Sequence, residues 1–287
     1  MARKEALTLG HSPDPDDAFM FYALAEDKID THGWSFQHTL QDIQTLNERA
    51  TRGELAISAI SIHAYAYVLD KYALLPSGAS MGDGYGPMLV VNQGTEFPTD
   101  KAALVEWLRG KTIAVPGLMT SAYLSLQLYM GAVAHVVVPF DEIFTAVKSG
   151  RADVGLIIHE GQLTYRTEGF EKVLDLGEWW KAETGLPLPL GGNVIRKDFT
   201  PAERSELNVI LRESIRYGLE HRAAGVTHSM PLARGMDEPL ADEFIGMYVN
   251  DFTLDYGDIG RRAIREFLGR AHKAGLIPTP VELEFVE

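Results

Sequence analysis

The chain has 287 residues, which is more than one ordinary core needs and predicts about two domains. It is 46% hydrophobic and 23% charged, a composition that excludes a mainly disordered or fibrous protein. The net charge of −14 argues against a nucleic-acid partner, and the absence of cysteine excludes disulfides, thiol catalysis and cysteine-ligated metals.

The N-terminal part of the chain alternates short apolar strands with helical segments. This alternation is typical of an α/β fold with parallel strands. We predict strands over residues 7–9 and 55–59. We predict helices over residues 18–25, 44–52 and 62–70.

A second α/β unit follows, and the C-terminal part then becomes mainly helical. The strands and helices of the second unit are predicted in the order 112–115, 121–130, 136–138, 141–148, 154–158 and 161–166. The later helices are predicted over 201–221, 237–248 and 258–274.

Two strand-like segments, 88–92 and 192–196, flank the second unit and suggest two crossings between domains. We therefore predict a discontinuous first domain of residues 1–92 and 192–287, and a second domain of residues 93–191. Ligand pockets commonly lie between such domains, so we predict a ligand cleft there.

The first polar cluster reads His-Ser-Pro-Asp-Pro-Asp-Asp over residues 11–17. Asp14 as a cap, Pro15 at the first helical position and acidic residues in the first turn are ordinary helix-start chemistry. If the same turn faces the cleft, Ser12 and free backbone N–H groups could hold a carboxylate. The two interpretations are compatible.

A second polar loop, over residues 116–123, follows one predicted strand and opens the next helix. Thr120 or Ser121 is an ordinary N-cap, and Gly117 permits a tight turn. With two hydroxyls and several free N–H groups, this loop could also hold an anion.

His159 directly follows the strand predicted over 154–158. A histidine there often has a purely structural role, but the carboxyl ends of parallel strands are where open α/β sheets bind ligands. A neutral imidazole at that edge could act as a general base. A His-Glu-x-x-His zinc site is excluded because residue 163 is leucine, and we predict no metal site.

Together these motifs resemble one known family. The segment over residues 11–24 resembles the N-terminal signature of the 1,4-dihydroxy-6-naphthoate synthases, which belong to the futalosine route of menaquinone biosynthesis. The resemblance continues in order along nearly the whole chain, through residues 40–47, 84–87, 115–123, 155–160, 186–191 and 248–250. It is more specific than any single motif.

The resemblance implies a two-domain periplasmic-binding-protein-like fold of type 2, in agreement with the interrupted first domain. It implies a carbon–carbon lyase that converts cyclic dehypoxanthinylfutalosine to 1,4-dihydroxy-6-naphthoate with release of the sugar-derived fragment. It also implies His159 as the catalytic base, with Thr120 and Ser121 contacting the ligand. Nothing in the sequence requires a cofactor, and we predict none.

Four further residues complete the predicted substrate site: Ser12, Asp42, Ser58 and Ala122. Asp42 is equally suited to cap the helix that follows it.

The chain also departs from the resembled family at the site. Other members carry Cys and Asn where this chain has Asp14 and Asp16, and a Thr is replaced by Ser121. Extra carboxylates near an anion site raise repulsion unless they point away as caps.

Two other functions remain open on the sequence. Chorismate dehydratase of the same pathway shares the fold, although the signature residues fit it less well. A non-catalytic solute-binding protein needs export, and the basic N-terminus shows no signal peptide.

No apolar run reaches the roughly 18 residues that span a bilayer. We therefore expect a cytoplasmic protein without membrane association, with a small carboxylate substrate, as a monomer or a homodimer.

Overall fold

The computed structural model describes residues 6–287, which fold into two mixed β-sheets with surrounding helices. The strands are β1 (Ala6–His11), β2 (Ser35–Leu40), β3 (Ile57–Ser61), β4 (Tyr72–Leu74), β5 (Ser80–Gly82), β6 (Met88–Asn92), β7 (Ile113–Val115), β8 (His135–Val137), β9 (Val154–Ile157), β10 (Phe170–Asp175) and β11 (Leu188–Arg196). The α-helices are α1 (Pro15–Met20), α2 (Tyr22–Ala25), α3 (Ile43–Thr51), α4 (Ile62–Tyr65), α5 (Lys101–Arg109), α6 (Ser121–Met130), α7 (Ile143–Lys148), α8 (Gly161–Thr164), α9 (Leu176–Thr184), α10 (Pro201–Glu220), α11 (Arg222–Ser229), α12 (Glu238–Tyr248), α13 (Asp251–Leu254) and α14 (Gly257–Lys273). Short 3-10 helices lie at Phe140–Glu142 and Met230–Leu232.

The first sheet has the strand order β2-β1-β3-β11-β4, and β5 also pairs with β11. Strand β1 runs parallel to β2 and β3, whereas β11 runs antiparallel to β3, β4 and β5. Every residue of β3 is buried, as expected for a strand covered on both faces. Helix α1 packs against α10, α11 and α12, so the C-terminal helices join the first sheet.

The second sheet has the strand order β10-β6-β9-β7-β8. Strand β7 runs parallel to β8 and β9, whereas β6 runs antiparallel to β9 and β10. Helix α7 packs on β9 and α9 packs beside β10 and β6. The parallel strands β7 and β9 end at the loops that begin with Pro116 and Ile158, which brings two of the predicted polar segments to one sheet edge.

The chain crosses between the two sheets twice. Strand β6 belongs to the second sheet and β11 to the first, so the crossings lie before Met88 and before Leu188. The limits at residues 92 and 191 remain a proposal for the domain boundaries.

One apolar cluster continues from one sheet to the other. It contains Ile60 and Leu74 of the first sheet as well as Val115 and Leu156 of the second. The cleft between the sheets is therefore bounded by a shared core rather than by a flexible linker alone. Within residues 6–287, no helix combines the length and apolar character needed to cross a bilayer.

The predicted elements with the strongest sequence patterns occur where expected. Helix α6 and strand β6 have the predicted bounds. Helix α10 begins at Pro201, and the side chains of Thr200 and Glu203 form a reciprocal capping box. These elements carry their own capping and periodicity signals, so local chemistry is sufficient to predict them.

Several predictions are wrong in extent, including the following three. The helix predicted over 18–25 is two short helices, α1 and α2, separated at Phe21. The helix predicted over 62–70 ends at Tyr65, after which backbone N–H groups bond three residues back in successive tight turns. The strand predicted over 55–59 begins at Ile57, where its pairing with β1 and β11 begins.

Several elements were not predicted. Strands β4 and β5 have three residues each, which is too short for a periodic signal. Strand β2 mixes polar and apolar side chains and is stabilised by parallel pairing with β1 along its whole length. Strand β10 and helix α5 were also missed.

Candidate active site

A cavity of about 130 Å³ lies between the two sheets, roughly ten times the space that one water molecule needs. Its polar lining includes Ser12, Asp14, Asp16, Asp17, Thr120 and Ser121. Its apolar lining includes Met20, Ile43, Ile158, Leu190 and Phe244. Residues from both sheets contribute, so the cavity occupies the predicted cleft. Its combination of apolar walls and few polar groups is typical of a small-molecule site.

The loop before α1 forms one wall of the cavity. The Ser12 backbone N–H donates to the Asp17 carboxylate at 2.5 Å, and the Ser12 hydroxyl donates to Asp14. Asp14 occupies the N-cap position, but its side chain makes no capping hydrogen bond, which corrects that part of the prediction. The reason is that its other oxygen accepts from Arg234 at 2.6 Å. Pro15 does occupy the first helical position.

Of the three aspartates at the start of α1, Asp16 and Asp17 have strongly raised pKa values. Burial raises the pKa of Asp17 to about 7, the Ser12 N–H lowers it, and the charge of Asp14 raises it. Burial also raises the pKa of Asp16 well above its ordinary range, and the neighbouring charges of Asp17 and Asp14 raise it further.

The N-terminus of helix α6 forms the opposite wall. Thr120 caps the helix, with its hydroxyl accepting from the Tyr123 N–H at 3.2 Å and donating to the Gly117 carbonyl at 2.9 Å. The Ser121 hydroxyl donates to the Leu190 carbonyl at 2.5 Å. Both hydroxyl hydrogens are thus used within the protein. The groups of α6 that remain suited to an anion are the first-turn backbone N–H groups of Ser121 and Ala122.

Helices of the first sheet hold this loop in place. The His63 backbone N–H donates to the Ser121 hydroxyl, and the His63 ring nitrogen Nδ1 lies 3.2 Å from the Thr120 carbonyl. Burial lowers the pKa of His63 to about 4, and the bond to Thr120 opposes this only in part. On α3, Gln44 accepts from the Met119 N–H at 3.0 Å.

Gly117 permits this contact with α3. Its backbone has a φ of 152°, and a Cβ atom built there would lie 2.2 Å from the side-chain oxygen of Gln44. The glycine therefore serves a close approach between the two halves of the molecule.

His159 lies directly after β9 and is 6% exposed. Its Nδ1 accepts from the Gly161 N–H at 3.0 Å and lies 3.5 Å from a carboxylate oxygen of Glu160. Its Nε2 is buried and has no hydrogen-bond partner. The aromatic rings of Phe140 and Phe144 flank the imidazole at 5.6 and 6.0 Å between ring centres. Ile158 lines the cavity, whereas His159, the next residue, does not.

Arg234 connects the loop before α1 to the segment after β9 that contains His159 and Glu160. Its guanidinium bonds Asp14 at 2.6 Å and Glu160 at 3.0 Å, and donates to the Pro13 carbonyl at 2.9 Å. It also lies 4.8 Å from the centre of the Phe140 ring. The backbone at Arg234 has a left-handed φ of 44°, a conformation that these contacts stabilise.

Two predicted site residues stand away from the cavity. Asp42 caps α3, accepting from the Thr45 N–H at 3.0 Å and from the Thr45 hydroxyl at 2.5 Å. Ser58 is fully buried in β3, and its hydroxyl donates to the Ala59 carbonyl at 2.8 Å. Their contact with substrate remains a prediction, whereas Ser12, Thr120, Ser121 and Ala122 line the cavity.

Several side chains of the site were not predicted, among them Tyr248, Gln162 and Arg234. Tyr248 on α12 donates to Gln162 at 2.5 Å across the cavity, and Arg234 joins the loop before α1 to the segment after β9 as described. Residues 248–250 belonged to the resembled motifs, which was the available signal for Tyr248. Gln162 and Arg234 acquire their roles from partners at least 74 residues away, and no local pattern indicates such a pairing. Among the described residues, no group of three or more His, Asp or Glu side chains is arranged to hold a metal.

Distant solved structures share the architecture. An alkanesulfonate-binding protein from Xanthomonas axonopodis pv. citri, solved with bound MOPS, is 12% identical, with a TM-score of 0.68 over 98% of this chain and 97% of that one. A Candida albicans protein with the generic periplasmic-binding-protein fold is 13% identical, with a TM-score of 0.70 over 99% and 98%. The fold is therefore periplasmic-binding-protein-like, as predicted.

Proteins of higher sequence identity show which family within this fold class the chain belongs to. A family model described as menaquinone biosynthesis matches residues 7–273. Proteins named 1,4-dihydroxy-6-naphthoate synthase from Streptomyces coelicolor and Thermus thermophilus are 39% and 38% identical over 96% of this chain, covering 95% and 98% of theirs. A solved Archaeoglobus fulgidus protein is 42% identical, with a TM-score of 0.88 over 95% of this chain and 98% of that one. The chain belongs to the menaquinone biosynthesis family.

Proposed function

We propose that this protein is a carbon–carbon lyase that converts cyclic dehypoxanthinylfutalosine to 1,4-dihydroxy-6-naphthoate. The proposal rests chiefly on a cavity of about 130 Å³ lined by the N-terminus of α6, in a chain whose near-full-length relatives carry that synthase name. A helix N-terminus offers free N–H groups and about half a positive charge, which suits the substrate carboxylate.

The orientation of the substrate follows from the two kinds of wall. The carboxylate would contact the backbone N–H groups of Ser121 and Ala122, with Ser12 on the opposite wall. The ring system would pack against Met20 and Phe244, where apolar surface is removed from water. Such fixed positioning lowers the entropic cost of reaching the transition state.

His159 is the proposed base. Its Nε2 has no partner in the protein, so this nitrogen is available for a proton from the substrate. For Nε2 to accept a proton, the neutral ring must carry its hydrogen on Nδ1, so the hydrogen bond that Nδ1 accepts from the Gly161 N–H has to break. Glu160, with a carboxylate oxygen 3.5 Å from Nδ1, can then accept the Nδ1 hydrogen. Because Phe140 and Phe144 flank the ring and His159 does not line the cavity, substrate binding must be accompanied by a local adjustment of this segment.

The chemical step then needs no further group from the protein. His159 removes a proton, the released electron pair completes the aromatic ring, and the sugar-derived fragment leaves with the electrons of the broken carbon–carbon bond. The proton held by His159 is then returned to the carbon of the departing fragment, which restores the neutral imidazole. Formation of the aromatic product supplies much of the driving force. Exclusion of water by the cleft would protect the reacting intermediate.

A product assay tests the proposal directly. Purified protein is incubated with cyclic dehypoxanthinylfutalosine and, in a second tube, with chorismate, and each reaction is followed by liquid chromatography with mass detection. We expect dihydroxynaphthoate in the first tube only. Turnover of chorismate instead would assign the dehydratase step of the same pathway, and two unchanged substrates would favour a binding protein without turnover.

The remaining properties of the system stay predictions of the sequence. They are a cytoplasmic location, the absence of a cofactor and of nucleic-acid or membrane partners, and a homodimer as an alternative to a monomer.

A further inference from the structure

The charges around the cavity pose a problem for an anionic ligand. Three of the described lining residues are aspartates, and among those lining residues none is lysine, arginine or histidine. The N-terminus of α6 supplies only a partial positive charge. A ligand carboxylate would therefore be repelled unless the aspartates are neutralised.

Two of the three aspartates are engaged with the protein. Asp14 accepts from the Ser12 hydroxyl and pairs with Arg234 at 2.6 Å. Asp17 accepts from the Ser12 backbone N–H at 2.5 Å and is 8% exposed. Both carboxyl groups have partners that hold them to the loop before α1.

Asp16 is in a different position. It lines the cavity in the first turn of α1, and within residues 6–287 it forms no ion pair with a basic side chain. Tyr248 on α12 faces Asp16, and the Tyr248 hydroxyl donates a hydrogen bond to Gln162. Arg234, the cation that pairs with the neighbouring Asp14, is shared between Asp14 and Glu160.

We propose that Asp16 contacts the ligand as a neutral carboxylic acid and donates a hydrogen bond from its hydroxyl to a ligand oxygen. The inference rests on the proposed function for the identity of the natural ligand. In this arrangement the group that would repel an anion becomes a donor to it, and the cavity accepts a carboxylate-bearing ligand without a basic side chain. The raised pKa of Asp16, caused by burial and by the charges of Asp17 and Asp14, agrees with this role.

The test compares two substitutions of Asp16. Asp16→Asn keeps a neutral hydrogen-bond donor of the same shape, whereas Asp16→Ala removes the donor. The probe is 2-naphthoate, a stable aromatic carboxylate, and its affinity is measured by calorimetry at about pH 6 and about pH 9, on either side of the range in which raised carboxyl groups titrate. Asp30→Asn removes a charge that is 83% exposed and serves as the matched control.

We expect the wild-type protein and the Asp30→Asn variant to lose about tenfold in affinity at the higher pH, because Asp16 ionises and repels the probe. Asp16→Asn should lose most of this pH dependence, the remainder coming from Asp17, whose pKa burial raises to about 7, and Asp16→Ala should bind weakly at both pH values. If Asp16→Asn keeps the wild-type pH dependence, another group such as Asp17 causes it and the inference is wrong. Failure of the wild-type protein to bind the probe at either pH also contradicts it.

The binding test and the product assay can refute the role of Asp16 and the proposed reaction independently of each other. A wild-type protein without turnover, whose pH dependence of binding is nevertheless mostly lost in Asp16→Asn, would refute the proposed reaction and support the role of Asp16. Turnover combined with an unchanged pH dependence in Asp16→Asn would have the opposite meaning.

Discussion

At the scale of single residues, most polar groups of the candidate site already have hydrogen-bond or ion-pair partners within the protein. The hydroxyl hydrogens of Thr120 and Ser121 are donated to backbone carbonyls, and Asp14 is paired with Arg234. Two buried ring nitrogens, Nε2 of His63 and Nε2 of His159, have no hydrogen-bond partner within residues 6–287. An unsatisfied buried nitrogen costs free energy, and we assign a chemical role to that of His159, which is adjacent in the chain to the cavity-lining Ile158.

The first prediction concerns this histidine. His159→Ala should lower turnover of cyclic dehypoxanthinylfutalosine by about 10²- to 10⁴-fold, the usual contribution of general acid–base catalysis, with little change in KM. Steady-state kinetics measure both constants, and circular dichroism checks the fold. His221→Ala, an exposed histidine at the end of α10, is the control. A fully active His159→Ala enzyme would remove the histidine from the mechanism.

At the scale of elements, the start of α6 is positioned by α3 and α4 rather than by its own capping alone. Gln44 and His63 belong to the first sheet's helices, yet they bond the loop that carries the N–H groups proposed to bind the substrate carboxylate. The geometry of the site therefore depends on how closely the two halves approach.

The second prediction follows from the pKa of His63, which burial lowers to about 4 from 6.5. Below pH 6.5 the unfolded chain binds a proton that the folded protein does not, so stability is complete above 6.5 and falls as the pH drops toward 4. The loss attributable to His63 is on the order of 2–3 kcal/mol. His63→Asn keeps a donor for the Thr120 carbonyl and removes the titration.

Denaturant unfolding at about pH 7 and about pH 5 measures this effect, and the comparison with His63→Asn isolates it from other titrating groups. The variant should lose less stability than the wild-type protein on acidification. Equal losses in both proteins would mean that His63 is not buried in its neutral form.

At the scale of the whole molecule, Arg234 links the two sides of the cleft. Arg234 lies in the C-terminal segment that packs on α1. Its side chain contacts Glu160 and Phe140, which follow strands β9 and β8 of the second sheet. All three charged partners are at least partly buried, since Asp14, Glu160 and Arg234 are 19%, 10% and 27% exposed. This bridge is the charged contact through which cleft closure can act on the segment of His159.

The third prediction is that Arg234→Met destabilises the closed cleft by about 2 kcal/mol, because Glu160 is left partly buried without a cation. Hydrogen–deuterium exchange should become faster in residues 13–17 and 158–164 and stay unchanged in α10. Arg234→Lys retains the charge without the fork of donors and should show an intermediate effect. Unchanged exchange in both segments would show that the bridge does not hold the cleft.

Much of the fold and part of the site could be predicted from the sequence. The helix starts at Thr120 and Asp42 were predicted, because a capping side chain bonds a backbone N–H three residues away. The order of strands and helices likewise indicated two α/β halves, and the family motifs placed the polar loops in a cleft. These signals lie within a few residues of one another along the chain.

The sequence alone thus determined the class of fold, the family and the segments that meet at the cleft. Only the tertiary structure decided what individual side chains do there. Asp14 has the sequence position of a cap but pairs with Arg234, 220 residues later, and the hydroxyl of Ser121 bonds Leu190, 69 residues later. Such partners are chosen by packing between distant elements, and the availability of Asp16 and His159 for chemistry depends on that choice.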